Sequence, residues 1–123
     1  MDLIIPTSSP ARVLVVEDLP AILSGYIRIF AGVCEIVPVL DYPAAAHALR
    51  TQSFTGVLTD WSLPGGNGGD VFYMAIQLQL PVIVISSNVP DDWDLCPVMQ
   101  KPVTPQQCQA LVTRLAEIAA EHR

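Results

Sequence analysis

Gly56-Val57-Leu58-Thr59-Asp60 is an uncharged run closed by an acid, and the glycine-rich turn Leu63-Pro64-Gly65-Gly66-Asn67-Gly68-Gly69 follows it. A short apolar run bounded by turn residues reads as a buried strand. A carboxylate at the carboxyl end of such a strand stands where open α/β sheets place ligands and chemistry. Two other runs close in the same way. Val13-Leu14-Val15-Val16 ends in Glu17-Asp18, and Pro97-Val98-Met99-Gln100 ends in Lys101-Pro102. Three acids and one lysine, closing three strands, can therefore converge on one pocket.

Working outward from that run, short β-branched segments alternate with longer ones of helical period. Arg12 to Glu17, Cys34 to Val39, Gly56 to Asp60, Pro81 to Ser86 and Pro97 to Gln100 read as five strands. Pro20 to Phe30 reads as an amphipathic helix, with Ile22, Leu23, Tyr26, Ile27 and Phe30 at three- and four-residue spacing. Asp18 or Leu19 leads into it and Gly32 ends it. Tyr42 to Thr51 and Asp70 to Leu80 are the next helices. Thr104 caps a last one, with Pro105 at its first position, running to about Ala120.

Strands alternating with helices imply a parallel sheet covered on both faces, because right-handed crossovers leave few other arrangements. At this size the flavodoxin-like, doubly wound five-stranded sheet of order 2-1-3-4-5 is expected, with its switch point between the first and third strands. Those strands end in Glu17-Asp18 and Asp60. One crossover is defective: only ten residues separate Ser86 from Pro97, including Pro90 and the acids Asp91, Asp92 and Asp94, with no helical apolar stripe. A crossover with its helix needs about 10–12 residues or more. The fourth helix, between the fourth and fifth strands, is therefore expected to be missing or reduced to a single turn.

The chain of 123 residues is long enough for one domain with a real core. Residues 1–11 read as an N-terminal tail and 12–121 as the domain. Twelve acids against six bases give a net charge of −6, which disfavours nucleic acid as a direct partner. Met1-Asp2-Leu3-Ile4-Ile5-Pro6 lacks a basic leader and meets a proline at once, so no signal peptide is expected. No stretch approaches the ~18 apolar residues of a membrane span, so a cytoplasmic protein without membrane contact is expected. Cys34, Cys96 and Cys108 lack CxxC or CxH spacing and suggest neither a disulfide framework nor a zinc site. His47 and His122 read as surface residues on helices.

Taken singly, each candidate residue has a plain structural reading. Glu17-Asp18 could be a polar loop and helix cap, Ser86 a satisfied core hydroxyl, Lys101 a solvated lysine and Asp60 an Asx-turn residue. In chain order, however, the acidic pair Glu17-Asp18, Asp60 followed by Leu63-Pro64 and Gly68, Ser86 after Pro81-Val82-Ile83-Val84-Ile85, and Lys101-Pro102 form one pattern. Over Arg12 to Ala119 it resembles the receiver domains of two-component response regulators. The short link after Ser86 resembles a receiver subgroup that lacks the fourth helix, although Ile85-Ser86-Ser87-Asn88 stands in place of that subgroup's Phe-Ala-Thr-Gly motif.

The resemblance implies a stand-alone phosphoacceptor rather than a turnover enzyme, with at most self-catalysed phosphotransfer and autodephosphorylation. Asp60 would take the phosphoryl group from a sensor histidine kinase or a histidine phosphotransfer protein. Clustered carboxylates call for a hard divalent cation with oxygen ligands, and Mg2+ is expected. By resemblance its ligands would be Asp18, Asp60 and the main-chain carbonyl of Ser62, with Glu17 acting partly through water. Lys101 and the Ser86 hydroxyl would bind phosphoryl oxygens, and the main-chain N–H groups of Trp61 and Ser87 would complete the cradle.

The pattern also departs from the family. Receivers commonly couple the Ser86-type hydroxyl to an aromatic residue on the fifth strand, but here that position is Val98. Trp93 and Tyr73 are candidate substitutes. Trp61, beside Asp60, replaces a smaller residue and would shield an acyl phosphate from water. A missing helix leaves apolar surface that favours a homodimer or another partner, and Leu3-Ile4-Ile5 is a second candidate contact. Competing readings are a phosphorylation-independent receiver-like adaptor and a small phosphohydrolase or nucleotide-binding protein. The last finds no GxGxxG or GxxxxGKS motif and no cap domain.

Overall fold

The computed structural model describes residues 11–86, 89–99 and 104–121. Its main sheet is parallel and has five strands: β1 (Arg12–Val16), β2 (Glu35–Val39), β3 (Gly56–Thr59), β6 (Val82–Ile85) and β7 (Val98–Met99). Their order is β2-β1-β3-β6-β7, which is the expected 2-1-3-4-5 arrangement of the principal strands. The remaining strands, β4 (Ser62–Leu63) and β5 (Gly66–Asn67), form a small antiparallel hairpin inside the glycine-rich turn. That hairpin was not legible in the sequence. Gly65, with φ of 79°, takes the left-handed conformation that lets it close.

Helices cover both faces. α1 (Pro20–Phe30) and α4 (Pro105–Glu121) lie over one, where Leu23, Tyr26, Phe30, Leu111 and Leu115 pack on Val13, Val15, Leu58, Ile83 and Ile85. α2 (Tyr42–Thr51) and α3 (Gly68–Gln77) lie over the other, where Ala45, Ala48, Leu49, Val71, Phe72 and Ala75 meet Leu14, Val16, Val57 and Val82. The period of two along each strand thus feeds both cores, as a sheet buried on both sides requires.

Local chemistry sets the helix limits. Gly32, at φ of 82°, turns the chain out of α1 toward β2. Asp41 caps α2 by accepting from the Ala44 N–H at 2.7 Å. Thr104 and Gln107 form a reciprocal capping box at the start of α4.

α3 differs from expectation at both ends. It starts at Gly68 because Asn67 and Asp70 form a capping box, so Asp70 is its third residue rather than its first. It stops at Gln77 because Gln79 adopts φ of 60° and the Leu80 N–H bonds back to Ala75 while Gln79 bonds to Ile76. This is a Schellman closure with glutamine in the position that usually holds glycine. Leu80 keeps the helical apolar register while already outside the helix.

Between β6 and β7, residues 89–97 contain one turn at Asp91–Asp92 and no helix. The expected loss of that crossover helix is therefore observed among the described residues. No helix of the described chain is long and apolar enough to cross a membrane.

Candidate functional site

The parallel register brings the strand ends together. Val16 pairs with Thr59 and Thr59 with Val84, so Glu17 and Asp60, which follow at once, and Ser86, two residues beyond Val84, emerge from three adjacent strands. The main-chain N–H of Asp60 donates to Val16 O at 2.9 Å, and that of Glu17 to Val39 O at 3.1 Å. These ladder bonds fix the acids as strand extensions rather than loop residues. Ser86 is tied in the same way, its N–H donating to Met99 O at 3.0 Å.

Carboxylate oxygens of Glu17, Asp18 and Asp60 all lie within 4.8 Å of one another. Glu17 is completely buried and Asp60 and Ser86 are 8% and 4% exposed, while Asp18 is half-buried. The simple reading of Glu17-Asp18 as a helix cap fails for Asp18, because Leu19 is the N-cap residue of α1 and makes no side-chain cap bond. Glu17 Oε2 instead accepts from the Leu19 N–H at 3.2 Å. Asp18 is thereby left facing the other two acids.

Buried acids at this spacing fit a hard cation. Glu17, Asp18 and Asp60 are the residues that would hold such an ion, which takes oxygen ligands. Ser62 opens β4 two residues beyond Asp60 and is exposed.

The residues around the acids are a mixture of expected and unexpected ones. The Trp61 N–H, expected in a phosphoryl cradle, donates to Asp60 Oδ1 at 2.7 Å. Thr59, buried, donates its hydroxyl to Asp60 O at 2.8 Å. Tyr26 reaches from α1 into the hollow lined by Val15, Glu17, Leu58, Asp60 and Ile85. Neither Thr59 nor Tyr26 stands out in the sequence: a threonine suits any strand and Tyr26 falls in the apolar stripe of α1.

Behind the acids the glycines allow a close approach. A Cβ on Gly68 would lie 2.7 Å from Asp60 O and 3.1 Å from Trp61 Cα, and one on Gly69 would lie 3.1 Å from Trp61 Cη2. The Trp61 indole is thus seated on bare backbone. Its other aromatic neighbour is Trp93, edge to face, with ring centroids 4.9 Å apart. Val98, where an aromatic residue was missed in the sequence, is 42% exposed.

Ser87 and Lys101 lie outside the described residues, as do Leu3-Ile4-Ile5 and His122. Cys34 and Cys96 are free thiols, and burial pushes both up from the ordinary cysteine value. A larger apolar cavity, about 350 Å³, lies away from the acids between α3, the start of β6 and residues Leu95, Cys96 and Pro97. It holds no carboxylate.

No family model and no curated protein match the sequence. Solved structures do match. A response regulator receiver domain protein (CheY-like) from Methanospirillum hungatei JF-1 is 19% identical, with 94% of this chain and 100% of that chain covered and a TM-score of 0.83. The receiver domain of sensor histidine kinase PA1611 from Pseudomonas aeruginosa PAO1, solved with a magnesium ion coordinated in the active site cleft, is 17% identical. There the coverage is 89% and 99% and the TM-score 0.78. A response regulator receiver protein from Sinorhizobium medicae WSM419 is 18% identical over 93% of this chain and 98% of that one, with a TM-score of 0.76. With its sheet order, its acids at the ends of β1 and β3 and this likeness over nearly its whole length, the chain has the fold of the response-regulator receiver domains.

Proposed function

We propose that this protein is a Mg2+-dependent phosphoacceptor in two-component signalling, with Asp60 as the residue that carries the phosphoryl group. The observation behind this reading is the triad of Glu17, Asp18 and Asp60, drawn within 4.8 Å from the ends of two adjacent strands. Structural use alone would not gather three acids here, because they repel one another and two of them are buried.

Phosphoryl transfer to a carboxylate asks mainly for positioning and charge neutralisation. An Asp60 carboxylate oxygen attacks the phosphorus of a phosphohistidine on the partner kinase or histidine phosphotransfer protein. The O–P bond forms as the N–P bond breaks, and the imidazole leaves with the electron pair and takes up a proton. Bound Mg2+ would neutralise phosphoryl oxygens, held by Asp18, Asp60 and the Ser62 carbonyl, with Glu17 in support.

Ser86 contributes a hydroxyl at the end of β6, and Lys101, by its place in the sequence two residues beyond β7, supplies an ammonium. The Trp61 N–H, already aimed at the Asp60 carboxylate, is positioned to follow an incoming phosphoryl oxygen. The signal then passes by protein contact or by relay to another histidine. The open face beside α3 is the expected homodimer contact; a monomer by sedimentation velocity at all accessible concentrations removes that part.

The experiment is a titration of Mg2+ and then beryllofluoride, a phosphoryl mimic, followed by Trp61 fluorescence in a Trp93→Phe background. Saturable changes that require Mg2+ and vanish in Asp60→Asn support the phosphoacceptor. No response to either ligand, with no Mg2+ binding by calorimetry, defeats it and leaves a receiver-like adaptor that signals through a fixed surface.

A further inference from the structure

The link between β6 and β7 carries a feature that the phosphoacceptor reading does not use. Trp93 sits at the centre of an aromatic cluster, 4.9 Å from Trp61, 5.3 Å from Phe72 and 6.5 Å from Tyr73 by ring centroids, edge to face with each. Its Nε1 is buried and lacks a hydrogen bond of full geometry. The Cys96 thiol, a weak acceptor, is the side chain that approaches it. A buried indole N–H without a good partner is uncommon in a settled core and marks packing that another arrangement could improve.

The geometry around Trp61 ties its ring to Trp93. Its backbone is held at both ends, by its N–H on Asp60 Oδ1 at 2.7 Å and by its carbonyl accepting from the Gly68 N–H at 2.7 Å. Its ring lies close on Gly68 and Gly69, where an added Cβ would come within 3.3 and 3.1 Å of ring carbons. A phosphoryl group on Asp60 would change the acceptor of the Trp61 N–H, and the ring that would feel the change rests on the glycine backbone and on Trp93.

Trp93 is joined to what lies beyond. Leu95, Cys96 and Pro97 of the same link line the apolar cavity of about 350 Å³, and Phe72, which touches Trp93, lines it too. This segment stands where the sheet order would otherwise call for a crossover helix. Among the described residues a single turn bond, from the Trp93 N–H to Pro90 O at 3.0 Å, is all the main-chain hydrogen bonding within it, so it suits a two-state element.

We propose that Trp93 is the positioning residue that carries the state of Asp60, through its contact with Trp61, to residues 89–97 and to the apolar cavity they line. This rests on the phosphoacceptor reading and supplies the relay that Val98 cannot.

The test uses the full chain labelled with nitrogen-15. Its two tryptophans give two indole signals, assigned with Trp93→Phe. Bound beryllofluoride is followed separately by fluorine resonance. On adding Mg2+ and beryllofluoride, both indole signals and the amides of Asp94, Leu95 and Cys96 should move.

In Trp93→Leu, and in Trp93→Ala as a fuller break, bound beryllofluoride and the movement of the Trp61 signal should persist while ligand addition no longer moves those amides. The readout is the change on ligand addition, so loss of the Trp93 ring current does not enter. Movement of Trp61 alone in the wild type, or amide responses that survive both substitutions, overturns the relay and leaves the phosphoacceptor standing. Absence of bound beryllofluoride in the wild type overturns both.

Discussion

Gly68 lies so close to Asp60 that a Cβ on the glycine would come within 2.7 Å of the Asp60 carbonyl oxygen. The obstacle is backbone, which cannot rotate away as a side chain can. This explains why the turn after an acid-ending strand needs glycine at that position, where it also starts α3.

Gly68→Ala should therefore lower stability by about 1–3 kcal/mol, the usual range for overpacking. It should also weaken Mg2+ binding, because relief of the clash must move Asp60 or Trp61. Thermal unfolding and Mg2+ calorimetry on the same variant check both. Unchanged Mg2+ affinity in a destabilised variant would separate the packing role from the site.

Asp60→Asn should raise the unfolding temperature of the metal-free protein, since three mutually close acids become two. In the wild type, Mg2+ at about 100 times its dissociation constant should add about 2.7 kcal/mol of stability. The variant should lose most of that gain. Scanning calorimetry with and without Mg2+ reads both effects, and equal Mg2+ stabilisation in the two proteins would count against Asp60 as a ligand.

Trp61 follows Asp60 directly and its N–H donates to Asp60 Oδ1, which places a large side chain next to any group carried there. Trp61→Ala should shorten the lifetime of the aspartyl phosphate by about tenfold, equivalent to roughly 1.4 kcal/mol of barrier. Decay of the phosphoprotein after removal of a small phosphodonor gives the number. A variant lifetime equal to that of the wild type would remove the shielding role.

Gln79 holds a left-handed conformation at the end of α3, with φ of 60°. That conformation strains any residue with a Cβ, and the strain exceeds the entropy a glycine adds to the unfolded chain. Gln79→Gly should stabilise the protein by roughly 0.5–1 kcal/mol. Urea unfolding with an unchanged slope would confirm that only stability has moved.

The Cys96 thiol is pushed up by burial, against smaller opposing effects of the Trp93 side chain and the Val84 backbone; its ordinary value is 9.0. The unfolded chain therefore loses this proton first as pH rises. The stabilising contribution is complete below pH 9.0 and is lost as pH climbs through the raised folded value. Stability should fall above pH 9, less steeply in Cys96→Ala, and Cys96 should react slowly with alkylating agents at pH 8. Both are measurable by unfolding and by labelling kinetics.

Much of this molecule is legible in its residues taken in order. The β-branched runs, the apolar stripes of α1 and α2, and the acids at the ends of β1 and β3 are local patterns, and local patterns follow from the backbone periods of strand and helix. The shortness of the link after Ser86 likewise foretells the missing crossover helix, because a helix needs a minimum length of chain. Even so, the sequence runs α3 on through Leu80, since periodicity does not register that Gln79 turns left-handed and lets Leu80 pack as the closing residue of a Schellman motif.

Tertiary structure alone decided the rest. The complete burial of Glu17, the freeing of Asp18 from a capping role and the reach of Tyr26 to the acids depend on how α1 lies across the sheet. The contact of Trp61 with Trp93 depends on a link that folds back over α3, and on two glycines that let the Trp61 ring lie close to their backbone. No period in the chain relates residues that distant. Their meeting is settled by close packing of the whole core, which admits few arrangements once the strands are in register.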